Sequence, residues 1–121
     1  MRVLLWIAGL GFVGFGLAFM VAPLHTLAAA GIELSGALAA AELRAFYGGL
    51  ELGIGALLIA SAVRPAQARN GLWLCLASYG GIGSARALGM LLGGVATPFL
   101  WFALATELGL ASAAAWMLRR H

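Results

Sequence analysis

Residues 43–63 read LRAFYGGLELGIGALLIASAV, an apolar stretch interrupted by charge only at Arg44 and Glu51. A transmembrane helix needs about 20 predominantly apolar residues to cross a hydrocarbon core ~30 Å thick. The stretch meets this requirement, and Arg64-Pro65 follows it directly. Because proline disfavours helical backbone in the residue before it, the stretch predicts a membrane-spanning helix that ends before Pro65.

Three further stretches have the same character, and we predict spans over about 3–22, 71–93 and 98–118 in addition to 43–63. Pro23 closes the first span, and Asn70 is the predicted N-cap of the third. Thr97 and Pro98 are typical of an N-cap and the first helical position of the fourth. The sequence therefore predicts an all-α fold, a bundle of four transmembrane helices forming one domain over residues 1–121.

The composition indicates an integral membrane protein. Hydrophobic residues make up 64% of the chain and charged residues 9%, and the mean hydropathy is +1.03. Soluble domains carry roughly 25% charged residues, so this chain lacks the polar surface of a soluble protein. The expected partner is the lipid bilayer. Nucleic acid is not an expected partner, because the basic residues are split among separate helix ends rather than forming one patch.

The segment 24–41 connects the first two spans and has leucine and isoleucine among alanines. We expect a short interfacial helix or a cap over the outer end of the bundle, with a plain connector as the alternative. Arg2, the following apolar run and Ala28-Ala29-Ala30 also resemble a signal peptide. The apolar run is long and glycine-rich for that purpose, so we expect the first span to be retained.

The arginines predict the orientation. They lie at the N-terminus, between spans two and three, and at the C-terminus, as Arg2, Arg64, Arg69, Arg119 and Arg120. The connections after spans one and three contain none. The positive-inside rule then predicts that both termini are cytoplasmic, with Trp6, Trp73 and Trp116 at the cytoplasmic headgroups and Trp101 at the outer ones.

Small residues at a spacing of four mark close helix packing in lipid. The predicted packing rows are Gly14, Ala18 and Ala22 in span one, Gly49 and Gly53 in span two with Gly48 and Gly55 nearby, Ala77, Gly81, Ala85, Gly89 and Gly93 in span three, and Ala103, Glu107, Ala111 and Ala115 in span four. The last row predicts that Glu107 faces protein rather than lipid.

The strongest indication of a functional site is a set of four charged residues inside the predicted spans: Arg44, Glu51, Arg86 and Glu107. A charged side chain at the bilayer centre costs about 2.5–3.5 kcal/mol on insertion scales and is a functional-site hypothesis by default. Helical spacing places Tyr47 on the face of the second span's charges and Tyr79 on the face of the third span's arginine. The predicted ligand-binding site or charge network comprises Arg44, Tyr47, Glu51, Tyr79, Arg86 and Glu107.

The segment from Glu42 to Gly53, ELRAFYGGLELG, resembles a bacterial family of small four-helix membrane proteins of unknown function. That family has an Arg-x-x-Tyr-Gly-Gly-x-Glu pattern in its second helix, an Ala-Arg in its third, here Ala85-Arg86, and a glutamate in its fourth, here Glu107. It is distantly similar to DoxX-like membrane proteins. The resemblance implies the fold, a bacterial inner-membrane location and the same four charged positions, but no activity.

Three functions remain open at this stage. In the first, the network binds a small molecule or handles protons, with Glu107 or Glu51 as the titrating carboxylate. In the second, the chain is an accessory or assembly subunit, its charges are structural staples, and its partner is a second copy or another membrane protein. In the third, it is a DoxX-like redox component that binds a quinone.

Support for an enzyme is thin. The chain has no Asp for a Ser-His-Asp triad, and Cys75 is its one cysteine. His25 and His121 are the two histidines, and we expect no metal site and no cofactor. We expect a packing role for Cys75 and a solvated loop position for His25.

Overall fold

The structure is a computed structural model that describes residues 1–120. The helices are α1 (Arg2–Val21), α2 (Pro23–Ala29), α3 (Ala37–Leu43), a π-helix (Arg44–Leu50), α4 (Glu51–Val63), a 3₁₀-helix (Pro65–Gln67), α5 (Ala68–Gly93) and α6 (Pro98–Arg120). The described residues contain no strand. The all-α prediction is confirmed.

Three helical stretches are long and apolar enough to cross a membrane. They are Arg2–Val21, Ala37–Val63 and Pro98–Arg120. The helix α5 is longer than α1 or α6, but it carries Arg69, Asn70 and Arg86 together with many glycines, which lower its mean hydropathy. The count of four spans therefore stays a prediction.

The helix ends test two predicted caps. Thr97 is confirmed as a cap, because its Oγ1 accepts a hydrogen bond of 3.2 Å from the backbone N–H of Leu100. The prediction for Asn70 is wrong: α5 begins at Ala68 with Gln67 at the N-cap position. The Nδ2 of Asn70 instead donates to Oε1 of Gln67 at 3.0 Å. Pro65 explains the early start, since the 3₁₀ turn that it opens leads directly into the helix.

The chain divides into two compact units. Unit 1 comprises Met1–Leu5 and Ser61–His121, of which residues up to 120 are described, and unit 2 comprises Trp6–Ala60. His121 lies outside the described residues, and so does every expectation for it. The two units are described separately below.

In unit 2, the backbone of α1 closely approaches the backbone of the π-helix and of α4. A Cβ placed on Gly55 would lie 2.8 Å from the carbonyl oxygen of Gly9, and one on Gly16 would lie 3.0 Å from that of Gly48. All four glycines are buried. Backbones can pack this closely only where side chains are absent, as is typical of membrane helix pairs.

Along the chain, the short helix α2 lies between α1 and α3. It is the short helix expected in segment 24–41. Its Leu27 is buried in one cluster with Phe19 of α1 and Leu43 of α3, and Leu24 packs against them. The other apolar residues of the segment, Ile32, Leu34 and Leu38, are exposed. The segment is therefore partly a folded cap on unit 2, while its position at a membrane surface stays a prediction.

In unit 1, α5 and α6 pack side by side in antiparallel fashion. Arg69 near the start of α5 reaches the carbonyl of Leu118 near the end of α6, whereas Arg86 meets Glu107 farther along. On α6 the buried side consists of Ala111, Ala114 and Leu118. Ala111 belongs to the predicted small-residue row, which is thus the packed side of this helix.

The glycine rows predicted for the other long helices are not the packed ones. Cβ positions on Gly14, Gly53, Gly81 and Gly89 have no heavy atom within 4 Å among the described residues. These glycines are also exposed, whereas the glycines in close contact are buried. A spacing of four marks one face of a helix, but each helix here has glycines on more than one face. Spacing alone therefore does not show which glycines are in contact within the described residues: in the second span these are Gly48 and Gly55, beside the predicted row.

Candidate functional site

The site is built around an ion pair between α5 and α6. Nε of Arg86 donates to Oε1 of Glu107 at 2.7 Å, and Nη2 donates to Oε2 at 2.8 Å. Two parallel charge-assisted bonds of this kind are the strongest geometry that an arginine and a carboxylate can adopt. The side chains are 26% and 12% exposed, so the pair is largely withdrawn from the surface.

Gly83 allows the two helices to bring this pair together. A Cβ on Gly83 would lie 3.3 Å from Cβ of Glu107 and 2.9 Å from Cδ2 of Leu108. Gly83 precedes Arg86 by about one helical turn, so the close approach is on the same face of α5 as the guanidinium. Sequence spacing indicates that shared face, but it does not reveal that Gly83 determines the distance to α6.

An apolar groove lies between α5 and α6 about one helical turn from the ion pair, and its lining includes neither Arg86 nor Glu107. Its volume is about 370 Å³, and it is lined by Ala87, Met90, Leu91, Gly94, Val95, Ala96, Trp101 and Leu104. Met90 follows Arg86 by one turn and Leu104 precedes Glu107 by one turn, so both helices lead from the groove to the pair. Gly94, at φ +63°, ends α5 in the left-handed conformation and turns the chain toward α6. The groove volume is within the range of about 300–1,000 Å³ for small-molecule sites.

Tyr79 lies on α5 two turns before Arg86 and is buried, with 7% of its surface exposed. The phenol is thus on the protein-facing side of α5, as its predicted place on the face of Arg86 requires. Ser84, between them in sequence, is exposed.

Unit 2 holds the other three predicted residues in a π-helical setting. Nε of Arg44 donates to the carbonyl oxygen of Met20 at 3.0 Å, and the ring of Tyr47 meets that of Phe19 edge to face with centroids 5.0 Å apart. Both contacts are with the last turn of α1. Glu51 is half-buried at the first position of α4.

The π-helix coincides with the motif that carries the family resemblance. It runs from Arg44 to Leu50 and ends directly before Glu51. π-helical turns are rare and are frequent at functional sites. Gly48 contributes to its packing, because a Cβ there would lie 2.7 Å from Sδ of Met20. Side-chain spacing for an ordinary α-helix contains no signal for this wider turn, so sequence reasoning missed it.

The structure thus brings together two of the six predicted residues, Arg86 and Glu107. Arg44 and Tyr47 contact the end of α1 in unit 2, and the described side-chain bond of Arg44 is to a backbone carbonyl. That all six side chains form one site stays a prediction.

Cysteine and histidine, the other residues with reactive or metal-binding side chains, are not part of the Arg86–Glu107 pair. Cys75 is fully buried on α5, with Sγ 3.9 Å from the carbonyl oxygen of Leu110. His25 is exposed on α2. Within residues 1–120, no three His, Cys, Asp or Glu side chains are grouped so that they could hold a metal ion.

An all-helical chain with three stretches that could cross a membrane, and a partly buried Arg–Glu pair, has the features of a helical membrane protein. The chain belongs to the family described as a domain of unknown function (DUF4345), which matches residues 1–118. No curated protein and no solved structure matches it. The resemblance to a family of unknown function is therefore confirmed, while the bacterial origin and the second-helix motif of that family stay predictions.

Proposed function

We propose that this protein is a four-span inner-membrane protein of bacteria that binds a small lipophilic molecule at the Arg86–Glu107 pair. The supporting observation is the combination of a bidentate, largely buried ion pair with an apolar groove that begins about one helical turn from it along both α5 and α6. A few convergent polar groups beside an apolar concavity are the usual composition of a small-molecule site.

The fourth span of this proposal is α5. At ~1.5 Å per residue, the helix Ala68–Gly93 is long enough to cross a hydrocarbon core of ~30 Å. Its polar residues do not exclude a membrane position: Arg69 lies near its start, where a long side chain reaches the headgroups. Arg86 is neutralised by Glu107. With four spans, both termini are on the cytoplasmic side, and the groove near Trp101 opens toward the outer side.

The chemistry of the site follows from the pair itself. In a medium of low polarity, Glu107 holds Arg86 in a fixed orientation, and a ligand with a polar head can exchange hydrogen bonds with either partner. A proton delivered to Glu107 would weaken the pair, so ligand exchange and proton transfer can be coupled at one carboxylate.

The test is native mass spectrometry from mild detergent. We expect wild-type protein to retain a small lipophilic molecule, and Glu107→Gln to lose it while its helical circular dichroism shows that the variant is still folded. Glu33→Gln, an exposed carboxylate outside the spans, is the matched control and should retain the molecule. Ala87→Phe should also lose it, because the larger side chain fills the groove without changing either charge.

Two results would reject the proposal. If wild-type protein carries no molecule, or if Glu107→Gln and Ala87→Phe carry it unchanged, the groove is not its site. If Glu107→Gln unfolds and Ala87→Phe retains the molecule, the pair is a structural staple. A quinone in the spectrum would favour the DoxX-like redox function over simple binding.

The second candidate is an assembly subunit, and the open glycines of α5 favour it. Gly81 and Gly89 have no described heavy atom near their Cβ positions, and Ala77 and Ala85 on the same row are exposed. Small residues on one face allow close approach of another membrane helix. Gly81→Leu should then convert an oligomer to monomers in the same mass spectra, whereas a monomeric wild-type protein would exclude this function.

A further inference from the structure

One end of unit 1 carries a group of arginines, here named the arginine cluster, that the proposed function does not use. It consists of Arg2, Arg64, Arg69, Arg119 and Arg120. All five side chains are exposed. The guanidinium groups of Arg2, Arg64 and Arg119 have no hydrogen-bond or ion-pair partner among the described residues.

Contacts within unit 1 show that these residues share one end. Gly71 packs against Ser61 and Leu5, since a Cβ there would lie 2.5 Å from Cβ of Ser61 and 3.1 Å from Cδ1 of Leu5. Arg69 also donates from Nη1 to the carbonyl oxygen of Leu118 at 3.4 Å. Each member of the arginine cluster lies within three residues of one of these contacts along the chain.

Within the described part of unit 1, no acidic side chain lies near the arginine cluster. The acidic residue of unit 1 is Glu107, which is paired with Arg86 and lies about 18–20 Å along α6 from Arg119 and Arg120 at ~1.5 Å per residue. The end of unit 1 is therefore strongly positive. An anionic partner is the one that complements it.

Because the basic side chains are all arginines, phosphate is the favoured anionic partner. All seven basic residues of the chain other than histidine are arginine, and none is lysine. Orientation in a membrane requires only positive charge, which lysine supplies equally well. The planar guanidinium adds two parallel hydrogen bonds to phosphate oxygens, which an ammonium group cannot make.

Exposed indoles at the same end indicate that the phosphate belongs to a lipid. Trp73 and Trp116 are 54% and 56% exposed, and Cζ of Arg120 lies 5.1 Å from the ring centroid of Trp116. Trp73 follows Gly71 by two residues, so it is near the same contacts. Tryptophan is enriched at the headgroup level of membranes, whereas a site for free phosphate has no use for exposed indoles.

We infer that the arginine cluster is a binding surface for the phosphate headgroups of anionic phospholipids. The cluster holds the headgroups by bidentate arginine contacts, and the neighbouring indoles lie beside the glycerol region of the same lipids. The protein should therefore retain anionic lipid selectively, independently of any molecule in the groove at Arg86–Glu107.

The experiment measures lipid retention by native mass spectrometry after adding phosphatidylglycerol and phosphatidylcholine in equal amounts. Basic residues near a membrane surface contribute about 1 kcal/mol each, which is about fivefold in affinity. The triple variant Arg64→Gln, Arg119→Gln, Arg120→Gln should thus bind phosphatidylglycerol about 100-fold more weakly, with phosphatidylcholine unchanged. The corresponding triple lysine variant should fall between it and the wild type, and Glu33→Gln should equal the wild type.

Several outcomes would overturn the inference. Wild-type protein without preference for phosphatidylglycerol, or a glutamine variant that keeps it, would exclude an anionic-lipid site. Displacement of the lipid by inorganic phosphate at constant ionic strength would assign the cluster to free phosphate instead. A lysine variant equal to the wild type would exclude the bidentate contacts. If the glutamine variant does not fold, the lysine variant and the phosphate competition decide the question.

Discussion

At the scale of single residues, the ion pair shows how a partly buried charge becomes tolerable. Each of the two bonds between Arg86 and Glu107 satisfies a donor and an acceptor at once. Glu107 is also placed among small residues, with Gly83 opposite its Cβ. The cost of desolvating two charges is therefore offset by their mutual attraction and by close helix contact.

Removing either Arg86 or Glu107 alone should lower the free energy of unfolding more than removing both together. We expect Arg86→Met to lower the free energy of unfolding by about 2 kcal/mol, less than a fully buried pair would lose because Arg86 is 26% exposed. The double variant Arg86→Met, Glu107→Leu should recover part of this loss, since no unpaired carboxylate remains. Thermal unfolding of the two single variants and the double variant in one detergent measures the coupling. A double variant that loses as much as the two single variants added together would show that the pair contributes nothing.

At the scale of elements, the packing of α1 against the π-helix and α4 depends on which face of each helix lacks side chains. Gly9, Gly16, Gly48 and Gly55 are the residues at the closest approach. Gly14 and Gly53 of these helices have no described heavy atom within 4 Å of their Cβ positions, and nothing in their spacing distinguishes them from the contacting glycines. Only the packing of the helices decides which glycines are in contact and which are exposed.

A matched pair of substitutions tests this distinction. Gly55→Ala should destabilise the protein by about 1–3 kcal/mol, because the added methyl group would lie 2.8 Å from the backbone oxygen of Gly9 and 2.7 Å from Cγ2 of Val13. Gly53→Ala, two residues away with nothing within 4 Å, should cause no loss. Scanning fluorimetry in detergent would measure both melting temperatures. Equal melting temperatures for the two variants would contradict the close approach of the helices.

At the scale of the whole molecule, the four-span arrangement can be tested by chemical labelling. In a background with Cys75→Ala, Ser35→Cys should react with a membrane-impermeant maleimide from outside intact cells, because Ser35 is exposed in a connection that the proposed four-span topology places outside. Ala66→Cys, exposed between α4 and α5, should react only after permeabilisation. Labelling of both positions from the same side would exclude an odd number of crossings between them and reject the four-span topology.

Sequence and structure differ most at the second-helix motif on which the predicted family resemblance rests. Arg44, Tyr47 and Glu51 are recognisable from the pattern, and so is their place in a long helix. The π-helical turn that holds Arg44 against Met20 is not recognisable, because it depends on hydrogen bonds between backbone groups that many sequences could make. Likewise, the role of Asn70 depended on where the turn after Pro65 becomes helix, and the observed N-cap, Gln67, lies three residues before the predicted one.

The amino-acid sequence by itself determined the helical class, the apolar stretches and the cap at Thr97, and it placed Arg86 and Glu107 in a predicted charge network without showing that these two form a pair. These follow from local properties, namely hydropathy, capping chemistry and the high cost of an unpaired charge in a medium without water. Only the tertiary structure decided which glycines are in contact, where the groove lies and that five exposed arginines share one end of unit 1. Those features depend on how helices rotate and slide against each other, and such rotations arise from many weak contacts that no single stretch of sequence encodes.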